Sequence, residues 1–110
     1  MVKILELDKL VGEVKRLKKE GKKIGFCYGV FDLLHPGHVK YLEEAKKFCD
    51  ILAVGVTSNK QVKKRRGNPN RPIFDEKLRA YLLSQLKPID FVFINHDENS
   101  AIKSIKTIKP

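Results

Sequence analysis

Gly29-Val30-Phe31-Asp32-Leu33-Leu34-His35-Pro36-Gly37-His38 joins a β-rich run to a helix-like one through a turn that carries two histidines and two glycines. Upstream, Lys23-Ile24-Gly25-Phe26-Cys27-Tyr28-Gly29-Val30 reads as a strand bounded by Gly21. Downstream of Pro36, Val39 and Leu42 and, one face over, Tyr41, Ala45, Phe48 and Cys49 recur at helical spacing, while Lys40, Glu43, Glu44, Lys46 and Lys47 stay polar. Pro36 suits the first helical turn, where a missing N–H costs nothing. A helix beginning there offers free N–H groups and the positive end of its dipole to an anion. Gly29 and Gly37, without Cβ atoms, let a phosphate approach the backbone.

His35 and His38 stand three residues apart, so a turn or helix start can aim both rings at one point. Protonated, both are donors, and a neighbouring polyphosphate favours that form. The same pair also fits a plainer role, with His35 capping the helix and His38 an ordinary surface residue. A zinc pair would need further ligands. Cys27 lies inside the strand and no carboxylate or thiol stands at ligand spacing beside the histidines, so no metal site is expected from these residues.

The rest of the chain alternates strands and helices. Leu7, Leu10, Val11, Val14 and Leu17 form a helical stripe ending near Gly21, and a second strand-like run precedes Lys60. Asp75-Glu76 opens a helix with Leu78, Tyr81, Leu82 and Leu86 as its apolar face, before Pro88. Ile89 to Ile94 reads as a third strand and Ser100 to Lys109 as a final helix. This alternation predicts an α/β fold: a doubly wound parallel sheet with helices on both faces and right-handed crossovers. With 110 residues and 42% hydrophobic content, residues 1–110 suffice for one domain, with residues 1–21 supplying a helix packed on it.

Lys60, Lys63, Lys64, Arg65 and Arg66 follow the second strand and precede Gly67-Asn68-Pro69-Asn70-Arg71-Pro72, whose composition demands a loop. This connection leaves the carboxyl end of a strand, where ligands bind in such sheets, so its cations can fold over phosphates. The formal charge of +10 suits anionic partners. The cations are dispersed and no interleaved aromatic pattern makes a base-stacking platform, which argues against nucleic acid. No apolar run approaches the ~18 residues that span a bilayer, and the N-terminus lacks the apolar core of a secretion signal; a cytoplasmic location without membrane contact is the expectation. Cys27 and Cys49, far apart in sequence, are expected to be buried free thiols.

Gly-Val-Phe-Asp-Leu-Leu-His-Pro-Gly-His resembles the H-x-G-H signature of the cytidylyltransferase-like nucleotidyltransferases, a Rossmann-like branch of α/β proteins. Further matching segments run in order: Tyr41 to Lys46, Cys49 to Asn59, Val62-Lys63-Lys64, Gly67, Arg71-Pro72-Ile73, Glu76, Arg79-Ala80 and Ile89 to Val92. This series is similar to the adenylyltransferase part of the ADP-heptose synthases, from about Leu10 to Pro110. The resemblance implies transfer of AMP from ATP to heptose 1-phosphate with release of pyrophosphate. The runner-up is a CTP-dependent glycerol-3-phosphate cytidylyltransferase.

In either case the resemblance makes His35 and His38 donors to the α- and β-phosphates and Lys63 a clamp on the leaving group. Gly29, Val30, Phe31 and Gly37 cradle the phosphates, and Asp32, Asn59 and Arg79 occupy nucleotide-site positions. Arg79 reaches the nucleotide or orders the phosphate loop; the alternative is a surface arginine paired with Asp75 or Glu76. Asp32 could equally tie down its turn, and Asp90 could be an ordinary strand-start residue. Magnesium is expected on the triphosphate, and a homodimer is compatible with an incomplete sheet. Two departures qualify the match. Asn59 stands where relatives usually carry Asp, and Ile105 to Pro110 falls where relatives continue into a strand, a Lys-Gly-Gly-Asp-like segment and an Ile-Ser-Thr-Thr-like motif. A nucleotide-binding module without turnover is therefore the reading of a different class.

Overall fold

A computed structural model describes residues 3–66 and 70–96. Seven elements follow in order: α1 (Leu7–Lys19), β1 (Ile24–Gly29), α2 (Pro36–Lys46), β2 (Ile51–Thr57), α3 (Asn59–Arg66), α4 (Glu76–Ser84) and β3 (Phe91–Asn95). The strands form a parallel sheet in the order β1-β2-β3, with Gly29 beside Val56 and Thr57 beside Asn95 at their carboxyl ends. Beyond β3, Ile4 makes an isolated parallel bridge to Val92. The helix expected over residues 100–109 lies outside the described residues.

Central β2 is apolar from Ile51 to Val56 because both its faces are covered. Leu52, Val54 and Val56 join Cys27, Leu42, Ala80, Leu83 and Ile89 in one core layer. Ala53 packs on the other side with Phe93, Leu10 and Val14 of α1. Helices thus lie on both faces, α1 on one and α2 and α4 on the other. Burying Leu10, Val14 and Leu17 contributes about 1.5–3 kcal/mol for each side chain before chain entropy is counted. A Schellman arrangement closes α1: Gly21 N–H donates to Lys18 O, and Lys22 N–H to Leu17 O.

The helix faces differ in detail from those read in the sequence. In α2, Leu42 is buried, Ala45 packs against the core and Tyr41 is exposed; in the turn beyond it Cys49 packs against the core and Phe48 is exposed. In α4 the inward residues are Arg79, Ala80, Leu83 and Ser84; Leu78 and Tyr81 face out. Both helices are short, so a shift of one position in the 3.6-residue period exchanges one apolar set for another. The segment after β2, read as part of a connection, forms α3. Cys27 is buried and Cys49 half-buried, both as free thiols. Asp90 bonds the ends of two strands, accepting Leu52 N–H at 2.8 Å and Lys46 Nζ at 2.6 Å.

Candidate active site

Three helices, α2, α3 and α4, begin near the carboxyl ends of β1 and β2. His35 is the N-cap of α2 and Pro36 its first residue. Gly37 N–H donates to His35 Nδ1 at 3.0 Å, and His35 N–H donates to His38 Nδ1 at 3.2 Å, a capping box built from two imidazoles. The plainer reading of His35 as a cap is therefore correct as geometry. It also changes the chemistry expected of the turn. Pro36 has no N–H, Gly37 N–H is bonded to a ring, and His38 N–H is bonded to His35 O at 2.9 Å. The amides expected to be free are satisfied inside the protein.

A nitrogen that accepts a backbone N–H holds a lone pair, so the neutral form of each ring carries its proton on Nε2, a nitrogen not used in the capping box. A proton on Nδ1 would oppose the backbone donor. Burial, and then the positive charge on His35 in its protonated form, depress the His38 pKa below its ordinary 6.5. In the chain without a bound anion, the lowered His38 pKa favours its neutral ring. The ring centroids lie 4.0 Å apart, and Phe31 meets His38 edge-on at 5.2 Å.

The glycines serve these rings. A Cβ at Gly37 would lie 2.7 Å from His35 Cε1, and one at Gly29 would lie 2.8 Å from Phe31 Cε2. Phe31 itself has φ of 53°, the left-handed region, which costs a non-glycine residue about 1–2 kcal/mol. Its ring, buried under the turn, offsets that cost and supports His38.

Asp32 ties the turn to the segment before α4. Its carboxylate accepts Ile73 N–H at 2.6 Å and Phe74 N–H at 2.9 Å, with Arg71 Nη1 at 3.4 Å, and its side chain is 0% exposed. Burial alone would raise its pKa; the Phe74 and Ile73 amides and Arg71 outweigh that and lower it.

Arg79 lies beneath the same turn and is only 1% exposed, so the surface-pair alternative is excluded. Its guanidinium donates to Phe74 O (2.9 Å), Val30 O (2.8 Å), Thr57 O (2.7 Å) and Asn59 Oδ1 (2.8 Å). Burial lowers its pKa, yet four acceptors and the more distant charges of Asp32, Glu76 and Asp75 keep it a cation. Arg79 therefore orders the β1–α2 turn rather than projecting into solvent. Asn59 also accepts Glu76 N–H at 2.9 Å, and Asn59 N–H donates to Glu76 Oε1 at 2.7 Å.

The structure thus gathers Gly29, Val30, Phe31, Asp32, His35, Gly37, His38, Asn59 and Arg79 into one bonded assembly. Lys63 is exposed on α3 and is not one of these bonded residues. Residues 67–69 of the following loop lie outside the described residues. Sequence reading missed the bond from Glu76 to Asn59, because that partner is 17 positions away; Glu76 stood out only as a charge opening α4, a family-match position and a possible partner of Arg79. Arg71, which grips both Asp32 O and its carboxylate, was visible only as part of the family match.

One consequence concerns acid stability. Because the folded-state His38 pKa lies below 6.5, the unfolded chain binds more protons between the two values, and stability rises with pH there. This contribution is complete above 6.5 and is lost as pH falls through the depressed value. Thermal melts from about pH 8 to about pH 5 should show falling Tm, with a smaller slope in His38→Ala. An unchanged slope in that variant would show that another group is responsible.

The cytidylyltransferase-like family matches residues 26–110. The bifunctional protein HldE of Geobacter metallireducens is 46% identical over 108 residues, which are 98% of this chain and 22% of that protein. HldE of Helicobacter pylori is 45% identical over the same shares. The chain therefore spans about a fifth of the length of these curated relatives. Among solved structures, a lipopolysaccharide core biosynthesis protein from Thermoplasma volcanium superposes with a TM-score of 0.71 and 39% identity, covering 82% of this chain and 70% of that one. A pantoate-β-alanine ligase from Francisella tularensis shares the fold at a TM-score of 0.61 and 23% identity, over 94% of this chain and 38% of that one. The imidazole-capped turn at the carboxyl end of β1 sits inside the matched residues, and by this match the chain belongs to the cytidylyltransferase-like family of nucleotidyltransferases.

Proposed function

We propose that this chain transfers AMP from ATP to a phosphate oxygen of heptose 1-phosphate, releasing pyrophosphate. The observation that carries the proposal is the pair of imidazoles at the start of α2 whose Nδ1 atoms accept backbone N–H groups, which leaves each Nε2 available to donate. The choice of ATP and heptose phosphate draws on the similarity to HldE, an ADP-heptose synthase, and on the lipopolysaccharide role named for the Thermoplasma relative.

In the proposed step an acceptor phosphate oxygen attacks the α-phosphorus, a P–O bond forms, and the bond to the bridging oxygen of the β-phosphate breaks. The nucleophile is already anionic, so no general base is required; alignment and charge stabilisation supply the catalysis. His35 and His38 donate to phosphate oxygens, and Lys63 neutralises charge gathering on pyrophosphate. Magnesium arrives with the triphosphate as part of the substrate. Asp32, the turn's own carboxylate, is already engaged by Ile73, Phe74 and Arg71, so a magnesium ion brought by the triphosphate would be held mainly by the nucleotide and would supply charge neutralisation on the phosphates.

Pyrophosphate release with magnesium, ATP and heptose 1-phosphate is the expected result. Release only with CTP and glycerol 3-phosphate would reassign the substrates to the runner-up. Nucleotide binding without release from any pair would make the chain a binding module.

A further inference from the structure

We propose that Glu76 is a positioning residue that sets where α3 presents Lys63 to the phosphate site. The inference rests on the nucleotidyltransferase reading and adds to it a residue that does not touch the reacting groups.

Helix α3, Asn59-Lys60-Gln61-Val62-Lys63-Lys64-Arg65-Arg66, has one apolar residue and five cations, with no acidic residue of its own. Val62 and Gln61 are buried, and Ser58 takes Gln61 N–H on its hydroxyl and Val62 N–H on its carbonyl, yet none of these contacts places a negative charge at the helix start. The cations also repel one another at three- and four-residue spacing. Compensation enters at the N-terminus. Glu76 Oε1 accepts Asn59 N–H at 2.7 Å, placing a carboxylate at the positive end of the α3 dipole. Asn59 Oδ1 returns the bond to Glu76 N–H and also takes Arg79 Nη2. Arg79 in turn holds Val30 O and Thr57 O. The clasp therefore connects the first residue of α3 to the first of α4 and to the turn bearing His35 and His38. Lys63 lies one helical turn beyond it, so rotation of α3 about the clasp changes the direction of its ammonium group.

An amide at position 59 suits this clasp. Its oxygen meets two donors, while a carboxylate there would face the Glu76 carboxylate. Gln at position 76 can still accept Asn59 N–H through its oxygen; Ala cannot, and Asp is too short to reach across.

The test compares Mg·ATP binding by calorimetry in the unmodified chain, Glu76→Ala, Glu76→Gln, Lys63→Ala and the Glu76→Ala/Lys63→Ala double variant, alongside amide hydrogen exchange of each free chain. Glu76→Ala should weaken binding about tenfold, Glu76→Gln should recover most of that loss, and the double variant should bind about as poorly as Lys63→Ala alone. Exchange at Gln61 to Lys63 should quicken in Glu76→Ala while α2 amides are unchanged. Unaltered binding in Glu76→Ala, losses that multiply in the double variant, or unaltered exchange in α3 would each overturn the proposal. Failure of the unmodified chain to bind any nucleotide would instead remove the functional reading, while exchange at residues 61–63 would still decide whether the clasp orders α3.

Discussion

Pyrophosphate release should fall by about two to three orders of magnitude when His38 becomes alanine, the loss seen when a preorganised donor is removed from an active site. The substitution deletes the Nε2–H, and it also frees His35 N–H and removes the ring that Phe31 supports. The structural share is about 1 kcal/mol, the usual worth of a helix cap, and leaves a folded chain. His35→Asn separates the two roles of the other imidazole. Asparagine is a good N-cap and its oxygen can accept Gly37 N–H, but it lacks the second ring nitrogen that is left available to donate. Stability of His35→Asn should lie within about 1 kcal/mol of the unmodified chain while turnover drops sharply. Full turnover would confine His35 to capping, and near-normal turnover in His38→Ala would sink the assignment of the site. Circular dichroism and pyrophosphate release, measured on the same preparations, distinguish these outcomes.

Arg79→Met should be the most destabilising single change in the described chain. Methionine fills part of the volume but leaves Phe74 O, Val30 O, Thr57 O and Asn59 Oδ1 without their buried donor. Each unsatisfied buried acceptor costs about 1–3 kcal/mol, and the sum is comparable to the whole stability of a small domain. A fall in Tm of about 15 °C or outright unfolding is expected. Lysine would do little better, since a single ammonium cannot reproduce a planar fork aimed at carbonyls in several directions. A fall of only a few degrees for Arg79→Met would mean that the turn is held by Asp32 and the sheet alone. Denaturant midpoints at constant m-value are the check.

The strands and the start of α2 were legible because their signals are local. β2 is an unbroken apolar run, α1 carries a five-residue apolar stripe, and Pro36 marks a first helical turn. The faces of α2 and α4 were legible only in part. Leu42, Ala45, Cys49 and Leu86 were read as apolar-face residues and do pack on the core, but Tyr41, Phe48, Leu78 and Tyr81, apolar by composition, are exposed, and only packing shows that Ala80 and Leu83 turn inward. Helix α3 was hidden for a different reason: its charged sequence carries little amphipathic signal, and its N-terminal carboxylate comes from Glu76 in another helix. The site residues themselves were visible as a motif. Their division of labour was not, because the sequence does not reveal whether an imidazole, a peptide N–H or a buried guanidinium faces the ligand. The glycines illustrate this point. Gly29 and Gly37 read as room for phosphate, whereas the volume a methyl would take there is occupied by the Phe31 and His35 rings.

The two-imidazole cap also bears on how a catalytic cycle ends. Bare helix amides and lysines around a phosphate can trap the product, since every charge-assisted bond formed on entry must be broken on exit. Here the first-turn amides are not bare: Gly37 N–H is bonded to the His35 ring and His38 N–H to His35 O. With no anion bound, the backbone-facing nitrogens of both rings are already bonded. The vacated turn therefore needs neither counter-ion nor rearrangement of its amides before the next nucleotide enters. Product escape should then depend on the cations of α3, and raising the ionic strength, which screens exposed lysines, should quicken release before it impairs the chemical step.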